Sequence, residues 1–285
     1  MKNGNGSFNG DQLKPRSIVF DLFGEYIRYD GGEAPMRVLV DLLQAFGIGP
    51  DATRVVMSRL RAEGWFETRK VGRESRYALT TQAWEMLDEG RPRIFERRRE
   101  PWSGEWCMVT YSVPEAARQT RDRLRKRMAW LGFGSLAPST WICPHDKRSV
   151  VVKALEAEPE ARFDVFMARS LGLAQDRDMV RRCWDLEGLN QAYGQFLHAT
   201  QERLSRFQES PLEGAEALVE RIRLIHGYRR FPFEDPDLPL ELLPAGWLGR
   251  QAHDLFLTAV GTLRPAALEY YRNVFAAGRN GDNGA

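Results

Sequence analysis

The order of elements over residues 15–79 constrains the fold of this 285-residue chain more than any other feature. Two segments, PRSIVFDLFGEYIR (15–28) and PMRVLVDLLQAF (35–46), carry apolar residues at the spacing of amphipathic helices. After the turn GIGPDAT, a third helix is predicted from about residue 52 to residue 63. It ends at Gly64, a residue typical of helix C-termini. A strand, a short turn and a second strand follow directly, so the sequence predicts three helices closed by a β-hairpin.

The third helix is predicted to have an apolar face and a basic face. At about 100° per residue, Ala52, Val56 and Leu60 share one face, which we expect to pack on the first two helices. The opposite face and its flank present Arg54, Met57, Ser58, Arg59 and Arg61. Arginine pairs bidentately with guanine in the major groove, and serine and arginine bind phosphates, so this face predicts a DNA contact. A solvated basic face is the alternative interpretation of this helix alone.

The hairpin that follows is also basic. We expect strands from Trp65 to Lys70 and from Arg76 to Leu79, with Lys70, Arg73 and Arg76 holding DNA phosphates. From Arg54 to Arg76 there are seven basic residues against three glutamates, a local net charge of +4, whereas the whole chain has a formal net charge of +2. The helices and the basic hairpin together predict a winged helix-turn-helix that binds DNA. A winged helix that binds another protein is the alternative.

Residues 101–174 predict a second domain with a different architecture. The apolar strand EWCMVTYSV (105–113) precedes an amphipathic helix over residues 114–131 and two short strands at FGSL and TWIC. A helix near residues 147–157 and a strand in ARFDVFMARS complete the segment. The order strand, helix, strand, strand, helix, strand predicts a ferredoxin-like α/β sandwich.

The remaining segments are predicted to be helical or disordered. Residues 80–99 predict a linker helix, broken at Gly90 and Pro92, which completes an N-terminal domain over residues 15–100. Residues 175–276 combine helical periodicity with many aromatic residues and predict a helical C-terminal domain. The polar, glycine-rich ends, 1–14 and 277–285, are expected to be disordered. We therefore expect an α+β multidomain protein.

No pattern in the sequence predicts catalysis. The four histidines stand singly, without paired metal spacing, and no phosphate-binding glycine loop or nucleophile motif occurs. Cys107, Cys143 and Cys183 are odd in number and far apart in sequence, which indicates a reducing cytoplasm. No apolar run approaches the roughly 20 residues of a membrane span. We expect a cytoplasmic protein that is not an enzyme and uses no metal, cofactor or membrane.

Seven segments, in this order, resemble the PaaX family of bacterial repressors of phenylacetate catabolism. They are RSIVFDLFGEYIR, GIGPDATRVVMSRLRAEGW, GRESRYALT, WSGEWCMV, GFGSLAPSTWICP, WDLEGLNQAY and DPDLPLELLPAGWLG. The resemblance implies a winged-helix reader, a middle ferredoxin-like domain similar to that of CRISPR-associated nucleases, and a helical C-terminal domain. It further implies a homodimeric repressor that binds double-stranded operator DNA and is released by an aryl-CoA thioester, usually phenylacetyl-CoA.

A CoA thioester needs basic groups for its phosphates, and two basic clusters are candidates. The first, in the helix over residues 114–131, includes Arg121 and Arg125; the second, in residues 221–230, includes Arg223, Arg229 and Arg230. The first cluster also suits DNA phosphates, an acidic partner or a solvated helix face. A metal-dependent nuclease built on the middle domain is the alternative function, although no catalytic acidic pair is found there.

Overall fold

The computed structural model describes residues 13–72, 74–97 and 101–280, with side chains described up to residue 278. This part of the chain forms two compact units. The first contains the described residues up to 96, residues 194–229 and those from 250 onward; the second contains residues 97–193 and 230–249. Within the described residues, no helix is both long enough and apolar enough to cross a membrane. Residues 1–12 and 281–285, which fall in the segments predicted to be disordered, lie outside this description.

The first unit begins with three helices and a small antiparallel sheet. Its N-terminal elements are α1 (Pro15–Glu25), β1 (Glu33–Pro35), α2 (Met36–Gln44), α3 (Pro50–Ala62), β2 (Phe66–Val71), β3 (Glu74–Leu79) and α4 (Thr81–Phe95). The strand order is β1-β3-β2, and both neighbouring pairs are antiparallel. The three helices and the hairpin occur where the sequence predicts them. Strand β1 was not predicted, because three residues provide no alternation of apolar and polar positions.

Helix α4 is continuous, so the predicted break at Gly90 and Pro92 is wrong. Its first turn is stabilised by the hydroxyl of Thr80, which accepts a hydrogen bond from the backbone N–H of Ala83 at 3.4 Å. Near its end, the guanidinium of Arg91 pairs with Glu25 at 2.9 Å and lies 4.6 Å from the ring centroid of Phe95. The ion pair with α1 and the contact within α4 stabilise this end of the helix, where Pro92 cannot donate a backbone hydrogen bond.

The core of the first unit combines residues from distant parts of the sequence. Ile18, Leu22 and Phe23 of α1 are at most 1% exposed. The same cluster contains residues of α9 (Gly214–Tyr228) and α11 (Gly249–Asn280), among them Ala217, Leu218, Ile222, Tyr271 and Phe275. Residues 277–280 belong to α11, so the prediction of disorder is wrong for these four residues.

The second unit is built on a four-stranded antiparallel sheet. Its elements are β4 (Trp106–Ser112), α5 (Arg118–Trp130), β5 (Gly134–Ala137), β6 (Thr140–Cys143), α6 (Arg148–Glu156), β7 (Arg162–Ala168), α7 (Leu173–Cys183), the start of α8 (Leu186–Glu209), and α10 (Phe231–Glu234). The strand order is β5-β6-β4-β7. The first six elements occur in the order that the sequence predicts.

Each face of this sheet is covered by different helices. Leu124 and Met128 of α5, with Val151 and Leu155 of α6, pack on a core that includes Val109 of β4. On the other face, Trp106 and Ile142 pack with Met179 and Val180 of α7. The indole N–H of Trp106 also donates to the buried carboxylate of Asp176 at 2.8 Å. Helix α7 is thus an integral part of the second unit.

Candidate nucleic-acid interface

Helix α3 begins directly after a turn, and its first residues are suited to a helix N-terminus. Gly49 precedes Pro50, which occupies the first helical position, where a missing N–H has no intrahelical partner to lose. The hydroxyl of Thr53 donates to the carbonyl of Gly49 at 3.1 Å, so this buried polar group is paired. Asp51 lies in the first turn, where a carboxylate favours the positive end of the helix dipole.

The buried face of α3 consists of Thr53, Met57 and Leu60, which are at most 1% exposed. The prediction that Met57 contacts DNA is therefore wrong, as is the prediction that Ala52 faces inward, because Ala52 is exposed. The observed set 53, 57, 60 and the predicted set 52, 56, 60 share Leu60, and their mean directions around the helix axis differ by about 65°. Thr53 can lie on the buried face because its hydroxyl is bonded to the carbonyl of Gly49.

The predicted basic residues of α3 are exposed, as expected, but they differ in their partners. Arg54 forms an ion pair with Asp51 at 2.8 Å. Arg59 and Arg61 form no ion pair with any residue that the structure describes, and Ser58 is exposed beside them. Arg59 and Arg61 are therefore the cations of α3 that an incoming anion can bind without displacing an internal partner.

Val55 is a residue of this face that the sequence analysis missed. It is an apolar side chain, 50% exposed, on the side of α3 opposite Met57. Ser58 and Arg59, at spacings of three and four residues, are its neighbours on the helix surface. An exposed aliphatic group between polar side chains is suited to the methyl group of thymine in a major groove. The signal in the sequence was the valine itself, a β-branched residue in the middle of a basic helix.

The described cations of the hairpin are of two kinds, those exposed without an ion pair and those bonded to Glu33. In the β2–β3 ladder, Arg69 lies opposite Arg76 and Lys70 opposite Ser75. Lys70 is exposed and forms no ion pair within the described chain. Arg73, predicted to bind phosphate from the turn of the hairpin, lies outside the described residues.

Arg69 and Arg76 are both engaged by Glu33 of β1. The guanidinium of Arg69 donates to both carboxylate oxygens of Glu33, at 2.7 and 2.5 Å, and Arg76 donates at 3.1 Å. Hydrogen bonding from Arg69, reinforced by Arg76, holds the pKa of Glu33 below its ordinary value. Arg76, predicted to be a phosphate contact, therefore has an internal anionic partner and a side chain only 20% exposed.

Helix α1 fixes the hairpin relative to α3. Phe20 and Trp65 make an edge-to-face contact with ring centroids 5.8 Å apart, and Phe23 contacts Phe66 in the same way at 4.8 Å. Arg16 pairs with Glu63 at the end of α3, and its guanidinium lies 5.4 Å from the ring of Trp65. Such aromatic contacts stabilise the fold by more than the burial of apolar area alone. Helix α1 therefore holds the end of α3 and the start of β2 in place.

Two acids of α1 pair with arginines in α9 and directly after it. Glu25 pairs with Arg221 at 2.8 Å, and Asp21 pairs with Arg229 at 2.5 Å. Asp21 and Glu25 are four residues apart, so they lie on one face of α1. This face ties the C-terminal helices of the first unit to the helix that supports α3.

The five arginines proposed for a CoA effector are divided between the two units. In the first unit, Arg229 is engaged by Asp21, and Arg223 lies 3.7 Å from Glu220. In the second unit, Arg121 donates to the carbonyl of Pro114 at 3.3 Å, and Arg125 is exposed. Arg230 of the same unit lies 4.9 Å from the ring of Phe231. The first predicted cluster therefore lies in the second unit, and the second cluster is divided between the two units.

The described residues offer no metal centre and no reactive thiol. No group of three or more His, Cys, Asp or Glu side chains in the described part of the chain is placed to hold a metal ion. Cys107 and Cys143, far apart in sequence, lie opposite each other on β4 and β6 as buried free thiols. Burial raises the pKa of Cys107 and raises that of Cys183 to about 11, so these thiols stay protonated at neutral pH.

Comparison with known proteins connects this geometry to a family. The model of the PaaX-like protein matches residues 14–83, that of the PaaX protein central Cas2-like domain matches residues 99–180, and that of the PaaX-like protein C-terminal domain matches residues 184–273. The transcriptional repressor PaaX of Escherichia coli (strain K12) is 30% identical over 268 residues, which cover 92% of this chain and 84% of that protein.

A solved structure is similar to this chain over nearly the same length. The uncharacterized protein Rv0674 from Mycobacterium tuberculosis has 25% sequence identity and a TM-score of 0.59, over 90% of this chain and 99% of that one. The relative from Escherichia coli is a transcriptional regulator and not an enzyme, in agreement with the expectation that this chain is no enzyme. Family models that together follow the chain from residue 14 to residue 273, and 30% identity to a repressor, establish that the chain belongs to the PaaX family of transcriptional repressors.

Proposed function

We propose that the chain represses transcription by binding double-stranded operator DNA through its first unit. In this proposal α1, α2, α3 and the β2–β3 hairpin form a winged helix-turn-helix, and α3 enters the major groove. The observation that carries the proposal is the exposure of Arg59 and Arg61 on α3, without internal ion pairs among the described residues, together with the exposed Lys70 of the hairpin.

The ion pairs of the site sort its cations into contacts and supports. Arg59 and Arg61 bind bases or phosphates, and Lys70 and Arg73 bind phosphates through the hairpin. Arg69 and Arg76 hold the hairpin on β1 through Glu33. Val55 and Ser58 complete the surface that faces the bases. This division supports DNA binding, because Arg59, Arg61 and Lys70, which form no ion pair among the described residues, are exposed on α3 and β2.

The second unit has the element order and strand order of a ferredoxin-like sandwich, and we propose that fold for it. The match to a central Cas2-like domain supports this assignment. Nuclease chemistry is not part of the proposal. Incubation of the protein with duplex DNA and Mg²⁺ is expected to leave the DNA intact, and metal-dependent cleavage would overturn this view.

The proposal also includes the regulatory role of the protein. The operator lies in a phenylacetate-type catabolic operon, and an aryl-CoA thioester such as phenylacetyl-CoA releases the protein from it in the cytoplasm. The active form is a homodimer, whose two α3 helices match two half-sites. Release follows if the thioester binds more tightly to a form whose helices no longer match that spacing.

Fluorescence anisotropy tests the proposal directly. The purified protein is titrated onto the duplex upstream of its own gene and onto a scrambled duplex, with and without phenylacetyl-CoA. Preference for the upstream duplex, lost on addition of the thioester, is the expected result. Preference that ignores the thioester retains the repressor and removes the effector. No preference there leads to a genome-wide pull-down, and no preferred site in the pull-down would overturn the repressor.

A further inference from the structure

Helix α5 of the second unit carries a concentration of positive charge that the α3 interface does not use. Six of its thirteen residues are arginine or lysine, and Asp122 is the only acid in the helix. Thr120, Leu124 and Met128 form its buried face. Arg118, Arg125, Lys126 and Arg127 are exposed.

Two acids near α5 are engaged by other residues of the helix. Glu158 pairs with Arg123 at 2.6 Å, and Glu160 accepts a hydrogen bond from Thr120 at 2.6 Å. Hydrogen bonding to Arg123 holds the pKa of Glu158 below its ordinary value. In contrast, Arg118, Arg125 and Lys126 form no ion pair with a residue in the described ranges.

Three exposed arginines elsewhere in the same unit have acidic partners. Arg148 pairs with Asp146 at 2.7 Å, Arg169 with Glu105 at 3.4 Å and Arg181 with Asp178 at 3.3 Å. The exposed Lys153 and Arg162 of this unit also form no ion pair within the described residues. What distinguishes α5 is that three such cations, Arg118, Arg125 and Lys126, lie on one helix.

The arrangement is unfavourable for the isolated helix. Arg118, Arg121 and Arg125 follow one another at spacings of three and four residues, at which like charges repel. No acid lies in the first turn, where Arg118 and Arg121 are disfavoured by the positive end of the helix dipole. A bound polyanion would convert this repulsion into attraction.

We propose that Arg118, Arg125 and Lys126 bind phosphates of duplex DNA, as a second and sequence-independent contact that adds to the one made by α3 and the hairpin. This proposal rests on the proposed function. The three cations span about 12 Å along the helix axis, at 1.5 Å per residue. Cations spread over that length can neutralise more than one phosphate of a DNA strand.

The test compares two triple variants with the same charge loss in the same unit. The first is Arg118→Gln, Arg125→Gln and Lys126→Gln. The matched control is Arg148→Gln, Arg169→Gln and Arg181→Gln, which removes three exposed cations that have acidic partners. Binding to a scrambled duplex is measured by anisotropy at several salt concentrations. Circular dichroism checks that each variant keeps the helical content and melting temperature of the unmodified protein.

The salt dependence of binding decides the outcome. Each phosphate contact contributes about 0.9 to the slope of log K against log salt concentration, so the α5 variant is expected to lose about 2.7 of slope. The control is expected to lose less than about 1. The single variant Arg125→Gln, which removes one contact, is expected to lose about 0.9. Equal slopes for the α5 variant and the unmodified protein would overturn the proposal.

Further arms separate this proposal from the function on which it rests. If the unmodified protein binds neither duplex, the proposed function fails and the α5 contact with it. If the α5 variant keeps the normal slope while Arg59→Ala loses operator preference, only the α5 contact is wrong. If the α5 variant keeps the normal slope but is no longer released by phenylacetyl-CoA, α5 binds effector phosphates, and the DNA proposal is overturned.

Discussion

Arg221 of α9 donates a hydrogen bond to Glu25 of α1 over 2.8 Å, although 196 positions separate the two residues in sequence. Their side chains are 7% and 9% exposed. A buried ion pair that loses one member leaves an uncompensated charge, which costs roughly 3 to 5 kcal/mol. We therefore expect Arg221→Ala to lower the free energy of unfolding of the first unit by about 3 kcal/mol.

Urea unfolding followed by circular dichroism measures this loss. Arg223→Ala is the matched control, because Arg223 lies on the same helix, is 57% exposed and is 3.7 Å from its acidic partner Glu220. Its replacement is expected to change the free energy of unfolding by less than about 0.5 kcal/mol. Similar losses for the two variants would show that the buried pair contributes no more than a surface pair.

The sequence predicted local structure far better than contacts between distant segments. The three N-terminal helices, the hairpin and the first six elements of the second unit all follow from apolar periodicity and from turn residues. The packing of α9 and α11 with α1 does not, because nothing near Glu25 indicates a partner at Arg221. The rotation of α3 was also missed, because apolar periodicity does not predict that the polar Thr53 is buried with its hydroxyl bonded to Gly49. Likewise, the sequence around Arg76 does not indicate that its guanidinium pairs with Glu33.

Met57 and Arg59 are expected to respond to replacement in opposite ways. Met57 is fully buried, so Met57→Ala should lower the free energy of unfolding by about 2 to 5 kcal/mol. Arg59 is exposed, so Arg59→Ala should leave stability nearly unchanged. If Arg59 contacts a base, the same replacement should weaken operator binding by about 1 to 3 kcal/mol.

The two variants are compared by urea unfolding and by anisotropy on operator and scrambled duplexes. For Arg59→Ala, equal weakening on both duplexes would identify Arg59 as a phosphate contact and not a base contact. For Met57→Ala, loss of operator preference with unchanged stability would contradict the buried position of Met57.

Val55 is expected to contribute to sequence recognition through a thymine methyl group. Replacement by alanine removes two methyl groups from an exposed position, so stability should change little. Operator affinity should fall by roughly 1 kcal/mol, within the range of good base contacts. The measurement is a double cycle in which each operator thymine is replaced in turn by uracil, which lacks only the methyl group.

At the thymine that Val55 contacts, the effects of Val55→Ala and of uracil should not add. Gly261→Ala, at an exposed position of α11, serves as the control and should show additive effects at each position. Additivity of Val55→Ala with uracil at every thymine would exclude the proposed contact.

Glu33 should make the stability of the hairpin depend on acidic pH. Its pKa is lowered by hydrogen bonds, first from Arg69 and then from Arg76, so the folded state binds the proton less tightly than the unfolded state. Its stabilising contribution is therefore complete above its ordinary pKa of 4.5 and is lost as the pH falls through the lowered value. Between about pH 5 and pH 3, the melting temperature of Glu33→Gln should fall less steeply than that of the unmodified protein.

Thermal unfolding at a series of pH values provides this comparison. Glu67→Gln is the control, because Glu67 is exposed on β2 and forms no ion pair with a described residue. Its pH profile should follow that of the unmodified protein. A parallel profile for Glu33→Gln would mean that the two arginines do not stabilise the ionised carboxylate.

Gly278 near the end of α11 lies directly against α2, the helix that precedes α3. A Cβ atom at Gly278 would lie 2.2 Å from Cγ2 of Val38, which is completely buried. Gly278→Ala therefore forces a displacement of α2 or of the end of α11, and we expect it to destabilise the first unit by about 1 to 3 kcal/mol.

Gly261→Ala, at an exposed position of the same helix with no atom within 4 Å of the added Cβ, is the matched control. It should stabilise α11 by roughly 0.5 to 1 kcal/mol, because alanine favours a helix interior over glycine. Urea unfolding of the two variants should therefore shift in opposite directions, and stabilisation by both would contradict the close approach of α11 to α2.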